Sequence, residues 1–389
     1  MIRTEERRII QSFEKSNKSL ALYLHVPFCE GKCRYCDFYS VKREKELMDT
    51  YLAYLKKEII KYSSAWNSYS EGKSVKIETI YFGGGTPGLL EIEQLQDIIN
   101  VIKSRFSYPL SGEITIEANP SSLSEEKIIA FKEAGISRIS LGVQSFSDKE
   151  LEFLGRRHNV RESLEIIGLL GKHFDNYSID LIYAIPGQTL KDWENTLKKA
   201  IALGLKHISL YNLQIEEGTA LAEALKNNEF QRVHDELDAR MYILAREMLI
   251  GHGYQHYEIS NFAKKGFESI HNRIYWQLKP YLGLGPSAHS FTGSVRYSNF
   301  PDISRYISEL KNDKLPVNNL HLLQKEDLMA EYIFMGLRLM EGVSLDDFAE
   351  RFEVELNTRY RDEIEKLAAM GLIEIIDNRM RLTEKGILY

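Results

Sequence analysis

Cysteine is scarce in this 389-residue chain, and its three copies, Cys29, Cys33 and Cys36, fall within eight positions. No other cysteine exists to pair with them, so a structural disulfide network is excluded. Long apolar runs are missing too, and no stretch approaches the length of a membrane span. The segment Met1 to Lys18 is charged and polar and lacks the features of a secretory signal. Clustered thiols without such a signal predict a cytoplasmic protein. Charge of one sign is not in excess: 50 Lys and Arg stand against 56 Asp and Glu, a net −6. That balance leaves no basic footprint for nucleic acid. There is no low-complexity segment. A hydrophobic share of 43% and a charged share of 27% are those of an ordinary globular protein. The length suits two or three domains, or one large barrel with an appendage.

What is present is a rhythm. Apolar runs of β type occur at Leu20–Pro27, Val75–Phe82, Glu113–Ala118, Arg138–Val143, Tyr177–Ala184 and His207–Leu213. Between them lie helical patterns such as Leu47, Leu52, Leu55 and Ile59. Alternation of this kind predicts an α/β fold with a parallel sheet buried on both faces. A partial (β/α)6 barrel over residues 19–215 is the expectation, and a doubly wound open sheet is the alternative. Residues 216–320 break the rhythm with a long helix, near Asp235–Leu249, then short aromatic strands and glycine turns. Residues 321–389 read as three helices and a hairpin turning at Asp377-Asn378, similar to a winged helix. Its helices carry many acidic residues, which favours packing over DNA binding.

The cysteines follow the first strand as C-x3-C-x2-C. Three thiolates at this spacing suit one corner of an iron–sulfur cubane. Such clusters usually take four cysteines, so three leave one iron open. The alternative is zinc held by the cysteines and a histidine such as His25, although no second CxxC-like pair is present. Other special residues fall at the carboxyl ends of later strands, where parallel β/α folds bind ligands. They are Gly83-Gly84-Gly85-Thr86-Pro87, Glu117-Ala118-Asn119-Pro120, Val143-Gln144-Ser145-Phe146 and Asp180. Consecutive glycines allow close approach of a ligand and offer N–H groups to an anion, or they form a plain tight turn. Glu117 suits an ammonium group or a structural ion pair. Gln144 and Asp180 suit hydroxyl groups of a ribose, and Arg156 suits a carboxylate.

Together these motifs resemble the radical S-adenosylmethionine (SAM) enzymes, and over essentially the whole chain the subfamily around oxygen-independent coproporphyrinogen III oxidase. The resemblance implies a [4Fe–4S] cluster on Cys29, Cys33 and Cys36 with SAM on its open iron. It also implies SAM contacts at Tyr23, Tyr35, Gly84, Gly85, Thr86, Glu117, Gln144, Arg156 and Asp180. Arg157, adjacent to Arg156, could serve in its place. Gly88 and Ala184 depart slightly from the commonest residues of the family, without threatening the backbone role of their loops.

Two branches of that subfamily differ in sequence. The oxidases carry Cys-x-Cys after the third cysteine position and a long N-terminal extension. This chain has Cys36-Asp37-Phe38, and only 28 residues precede Cys29. Its run His271-Asn272-Arg273-Ile274-Tyr275-Trp276 is similar to the HNxxYW motif of the haem-chaperone branch, HemW. That resemblance implies haem as cargo, haem-accepting apoproteins as partners, and no oxidation of coproporphyrinogen. A radical oxidoreductase acting on a porphyrinogen is the alternative, and a homodimer is left open. Histidine is a common axial ligand of haem, and Tyr275 and Trp276 could cover the macrocycle. His271 is the expected iron ligand, with His289, His252 and His256 as further candidates. The competing reading makes His271 a hydrogen-bonded structural histidine and Trp276 a core residue.

Overall fold

The computed structural model describes residues 8–13, 19–69, 75–107 and 112–389. Of the N-terminal segment 1–18, only the helical turn at 8–13 is among them.

The six apolar runs form strands β1 (Ser19–Val26), β2 (Lys76–Gly84), β3 (Glu113–Ala118), β4 (Arg138–Gln144), β5 (Tyr177–Tyr183) and β6 (His207–Asn212). They pair in sequence order, and every pairing is parallel. This order decides between the two expected topologies. A doubly wound sheet reverses its strand order at a switch point, whereas this one never reverses, as a barrel wound in one direction requires. Buried side chains alternate with barrel-facing polar ones, so Thr79, Thr115, Arg138, Ser140, Ser178, His207 and Ser209 form a buried polar interior. The intervening helices include Lys45–Tyr69, Ile92–Arg105, Val160–His173 and Leu190–Ala202. Several start at reciprocal caps such as Asn159 with Glu162 and Thr189 with Asp192, which satisfy the free N–H groups of the first turn.

The segment that breaks the rhythm extends the same sheet at both edges. Strands β7 (Gln255–Glu258) and β8 (Asn261–Ala263) add antiparallel beside β6. Strand β9 (Tyr281–Leu284) pairs parallel with β1, and β10 (His289–Phe291), β11 (Val295–Asn299) and β12 (Val317–Leu322) continue antiparallel from it. The result is an open sheet of 12 strands. The short helix Ile270–Trp276 lies against β2. Glu58 secures the β9–β11 edge from the long helix after β1: its carboxylate accepts from Gly285 N at 2.9 Å, Asn299 Nδ2 at 2.8 Å and Tyr306 OH at 2.7 Å.

The C-terminal part has its own apolar cluster around Met329, Phe348, Phe352, Leu356 and Met380. Strands Ile373–Ile376 and Arg379–Leu382 form the expected hairpin, joined by a third strand at Val343–Ser344. Asp377 and Asn378 both have positive φ, 50° and 60°, the conformation of the tight turn that matches strand twist. Arg273 with Glu341 and Arg296 with Glu331 bridge this part to the sheet extension.

Candidate functional site

The cysteine loop leaves the carboxyl end of β1 and folds over the barrel mouth. Phe28 and Cys29 pair with Val41 and Lys42, closing the loop at its base. Its seat is the glycine run after β2. Gly85 N donates to Val26 O and Thr86 N donates to Phe28 O, both at 2.8 Å, and Gly84 N donates to Glu117 Oε2 at 3.3 Å. These amides are therefore spent inside the protein rather than offered to an anion. The glycines act by allowing close approach. Gly84 sits at φ +114°, and a Cβ there would meet the His25 ring at 2.8 Å; one on Gly85 would meet Phe28 O at 2.7 Å.

Cys29, Cys33 and Cys36 are free thiols that open onto one cavity of about 450 Å³. The same cavity is lined by Tyr35, Gly84, Gly85, Thr86, Glu117, Gln144, Arg156 and Asp180. All the expected SAM residues but Tyr23 thus share one chamber with the thiols. Tyr23 is partly buried outside it, where its hydroxyl meets His25 Nδ1 at 3.2 Å. His25 is bonded at both ring nitrogens, to Tyr23 and to Tyr39 O at 2.9 Å, so it is not offered to the cysteines. Among the described residues, no three His, Cys, Asp or Glu side chains are placed to hold a single metal ion. The donor set fits a larger group: three sulfurs around a chamber that continues past them to carboxylates and a guanidinium.

Unlike Arg157, Arg156 lines this chamber and organises it. Its Nη1 reaches Cys33 Sγ at 3.4 Å and Tyr35 OH at 3.5 Å, while Nη2 donates to Gly142 O at 2.7 Å and to Asn119 Oδ1. Arg157 instead faces Glu30 at 3.8 Å near the surface. Burial pushes up the Cys29 thiol and raises Cys36 to about 11, so a metal there must displace protons. Glu117 accepts from Tyr81 OH at 2.8 Å, and burial first, with Asp180 second, raises its carboxyl to about 7. Asp180 accepts from Ser140 at 3.2 Å and is also raised by burial. Gln144 leaves its strand at φ +69°, beside a register shift that turns it toward the chamber.

Sequence reasoning passed over Tyr81 and gave no role to Asn119, the partner of Arg156 and of Thr86 Oγ1. Tyr81 was legible by alternation, since it shares the barrel-facing side of β2 with Thr79 and Gly83. Asn119 lay inside the quoted run at the end of β3.

The second motif lies elsewhere. His271 is buried, 1% exposed. Its Nδ1 bonds to Thr79 Oγ1 and its Nε2 to Tyr275 OH, each at 2.7 Å. The ring stacks on Tyr81, and burial lowers it to about 3. Both nitrogens are therefore taken, and His271 reaches neither cavity. Tyr275 and Trp276 do line a cavity, of about 530 Å³, together with Tyr23, Phe38, Tyr281 and His289. This chamber borders the first one, since Asp37 and Phe38 line both. His252 bonds to Met248 O, and His256 stacks on Phe262 and faces a different cleft.

Comparison with known proteins agrees with this layout. The pattern of the radical SAM superfamily matches residues 23–200, and that of the HemN C-terminal domain matches 323–389. The chain is 37% identical over 369 residues to the heme chaperone HemW of Bacillus subtilis, covering 94% of this chain and 95% of that one. It is 34% identical to the heme chaperone HemW of Lactococcus lactis, covering 95% and 94%. Among solved structures, the coproporphyrinogen III oxidase HemN of Escherichia coli superposes with a TM-score of 0.85 over 98% of this chain and 91% of that one. At 21% identity this likeness speaks for the fold alone. A radical-SAM barrel, a HemN-type C-terminal part and full-length identity above 30% place the chain in the HemW family of radical-SAM proteins.

Proposed function

We propose that the protein is a haem chaperone that carries a SAM-bound [4Fe–4S] cluster, binds haem and hands it to acceptor proteins. One observation carries this reading: a chamber walled by aromatic rings shares the cysteine loop with the chamber lined by the three thiols. Cys29, Cys33 and Cys36 would hold the cluster. When bound, the cluster and SAM supply one-electron chemistry at an open iron. The chain's own residues position the ligands and exclude water. Arg156 holds the loop to the rim, Glu117 would pair with the ammonium group of SAM, and Asp180 and Gln144 would bind its ribose hydroxyls. Tyr275, Trp276 and Tyr281 offer flat apolar faces to a macrocycle. No described helix is long and apolar enough to cross a membrane, and three free thiols suit the cytoplasm.

The oxidase reading has less support, because Phe38 takes the place of a fourth cysteine and is 63% exposed. Titration of anaerobically reconstituted protein with haem tests the proposal. One equivalent should bind saturably while iron and sulfide of the cluster stay constant. No saturable binding, or binding only after loss of the cluster, would reject it.

A further inference from the structure

His289 opens onto the aromatic chamber as the first residue of β10, on the same side of the strand as Phe291. Side chains two apart on a strand share a face, so the imidazole stands beside the aromatic wall. The residue is exposed, and its ring makes no hydrogen bond among the described residues. Every competing histidine near the chamber is spoken for. His271 is bonded at both nitrogens by Thr79 and Tyr275, and His25 by Tyr23 and Tyr39. A second unfilled group lies close by. Trp276 Nε1 is buried without an acceptor, although buried polar atoms are rarely left so. Its indole lines the same chamber. A flat apolar body with a metal that accepts imidazole nitrogen would suit these aromatic walls and the free His289 ring. Haem has both features. The chamber's volume, about 530 Å³, lies within the usual span of about 300–1,000 Å³ for cofactor-sized sites.

We infer that His289, rather than His271, supplies the nitrogen ligand to haem iron in this chamber. The assignment rests on the haem-carrier reading above and gives His271 a different task. His271 pins the helix Ile270–Trp276 to β2 through Thr79 and fixes the Tyr275 ring at the chamber wall. It positions the wall without touching the iron.

The test uses the full chain, anaerobically reconstituted and loaded with ferric haem. His289→Ala should lose the nitrogen-ligand signature in the low-temperature ferric spectrum and bind haem at least tenfold more weakly. His271→Ala should keep the natural ligand signature while lowering the unfolding temperature. His289→Cys supplies a gain of signal that no structural role would produce: the ferrous carbonyl adduct should take the red-shifted band of thiolate-ligated haem. Iron and sulfide content of each variant confirms that the cluster loop is intact. An unaltered ligand signature in His289→Ala, or no thiolate band in His289→Cys, overturns the assignment while leaving haem carriage standing. Failure of the natural chain to bind haem overturns both.

Discussion

Arg156 shows how much one residue holds at the rim. Its guanidinium spans the cysteine loop at Cys33 and Tyr35 and the strand ends at Asn119 and Gly142. A planar five-donor group can do this, and a lysine cannot. The thiols it faces are the first objects of prediction. The reconstituted natural chain should hold iron and inorganic sulfide at about four each, the content of a [4Fe–4S] cluster, and Cys29→Ala, Cys33→Ala and Cys36→Ala should each lose them. Zinc in place of iron would contradict the cluster. Glu117 gives a pH dependence with a definite sign. Burial lifts its carboxyl to about 7, so the ligand-free site is largely protonated below that pH. An ammonium group needs the carboxylate. SAM binding should therefore release a proton and weaken as pH falls through 7. Calorimetry in buffers of different ionisation enthalpy would show the release. Glu117→Gln should abolish the pH dependence and weaken SAM binding by about 1–3 kcal/mol.

Among the elements, the six barrel strands were legible in the sequence because near-continuous apolar runs admit few other readings, and their observed ends differ by at most two residues. The terminal hairpin was legible from Asp377-Asn378, whose side chains tolerate the left-handed turn. Asn378→Gly should therefore keep or slightly raise stability, and Asn378→Val should lower it by about 1 kcal/mol or more in urea unfolding, because a β-branched residue resists positive φ. Two features were not legible. A run of glycines looks the same whether its amides cradle an anion or seat a neighbouring loop; only the acceptors Val26 O and Phe28 O decide. A histidine in an aromatic motif looks the same free or bonded, and here Thr79, distant by 192 residues, settles it. Thr79 faces the barrel interior and Tyr275 follows one helical turn after His271, so His271→Ala leaves the buried Thr79 hydroxyl and the partly buried Tyr275 hydroxyl without their partner. The expected cost is about 2–4 kcal/mol, read from denaturant midpoints.

Across the whole molecule, the sheet extension matters as much as the barrel. Strand β9 joins β1 in parallel, and β10 and β11 bring His289 and Arg296 to the edge of the cysteine loop. The two chambers exist side by side because one continuous sheet runs under both. Glu58, which ties this edge to the first barrel helix, is raised to about 7 by burial. The folded chain keeps a proton there that the unfolded chain gives up near its ordinary value of 4.5. Stability from this group is thus full in acid and is lost as pH climbs to about 7. Glu58→Gln should lose less stability than the natural chain as pH rises from 4.5 to about 7, by urea midpoints.

The central claim is that the molecule carries haem rather than transforming a porphyrinogen. The most direct measurement follows two cargoes in one anaerobic reaction that contains reconstituted protein, SAM, reductant, haem, coproporphyrinogen III and an apo-haem protein as acceptor. Chromatography of the products should show haem moved from the carrier to the acceptor and coproporphyrinogen III unchanged. Protoporphyrinogen formed over many turnovers, with haem left free in solution, would contradict the account.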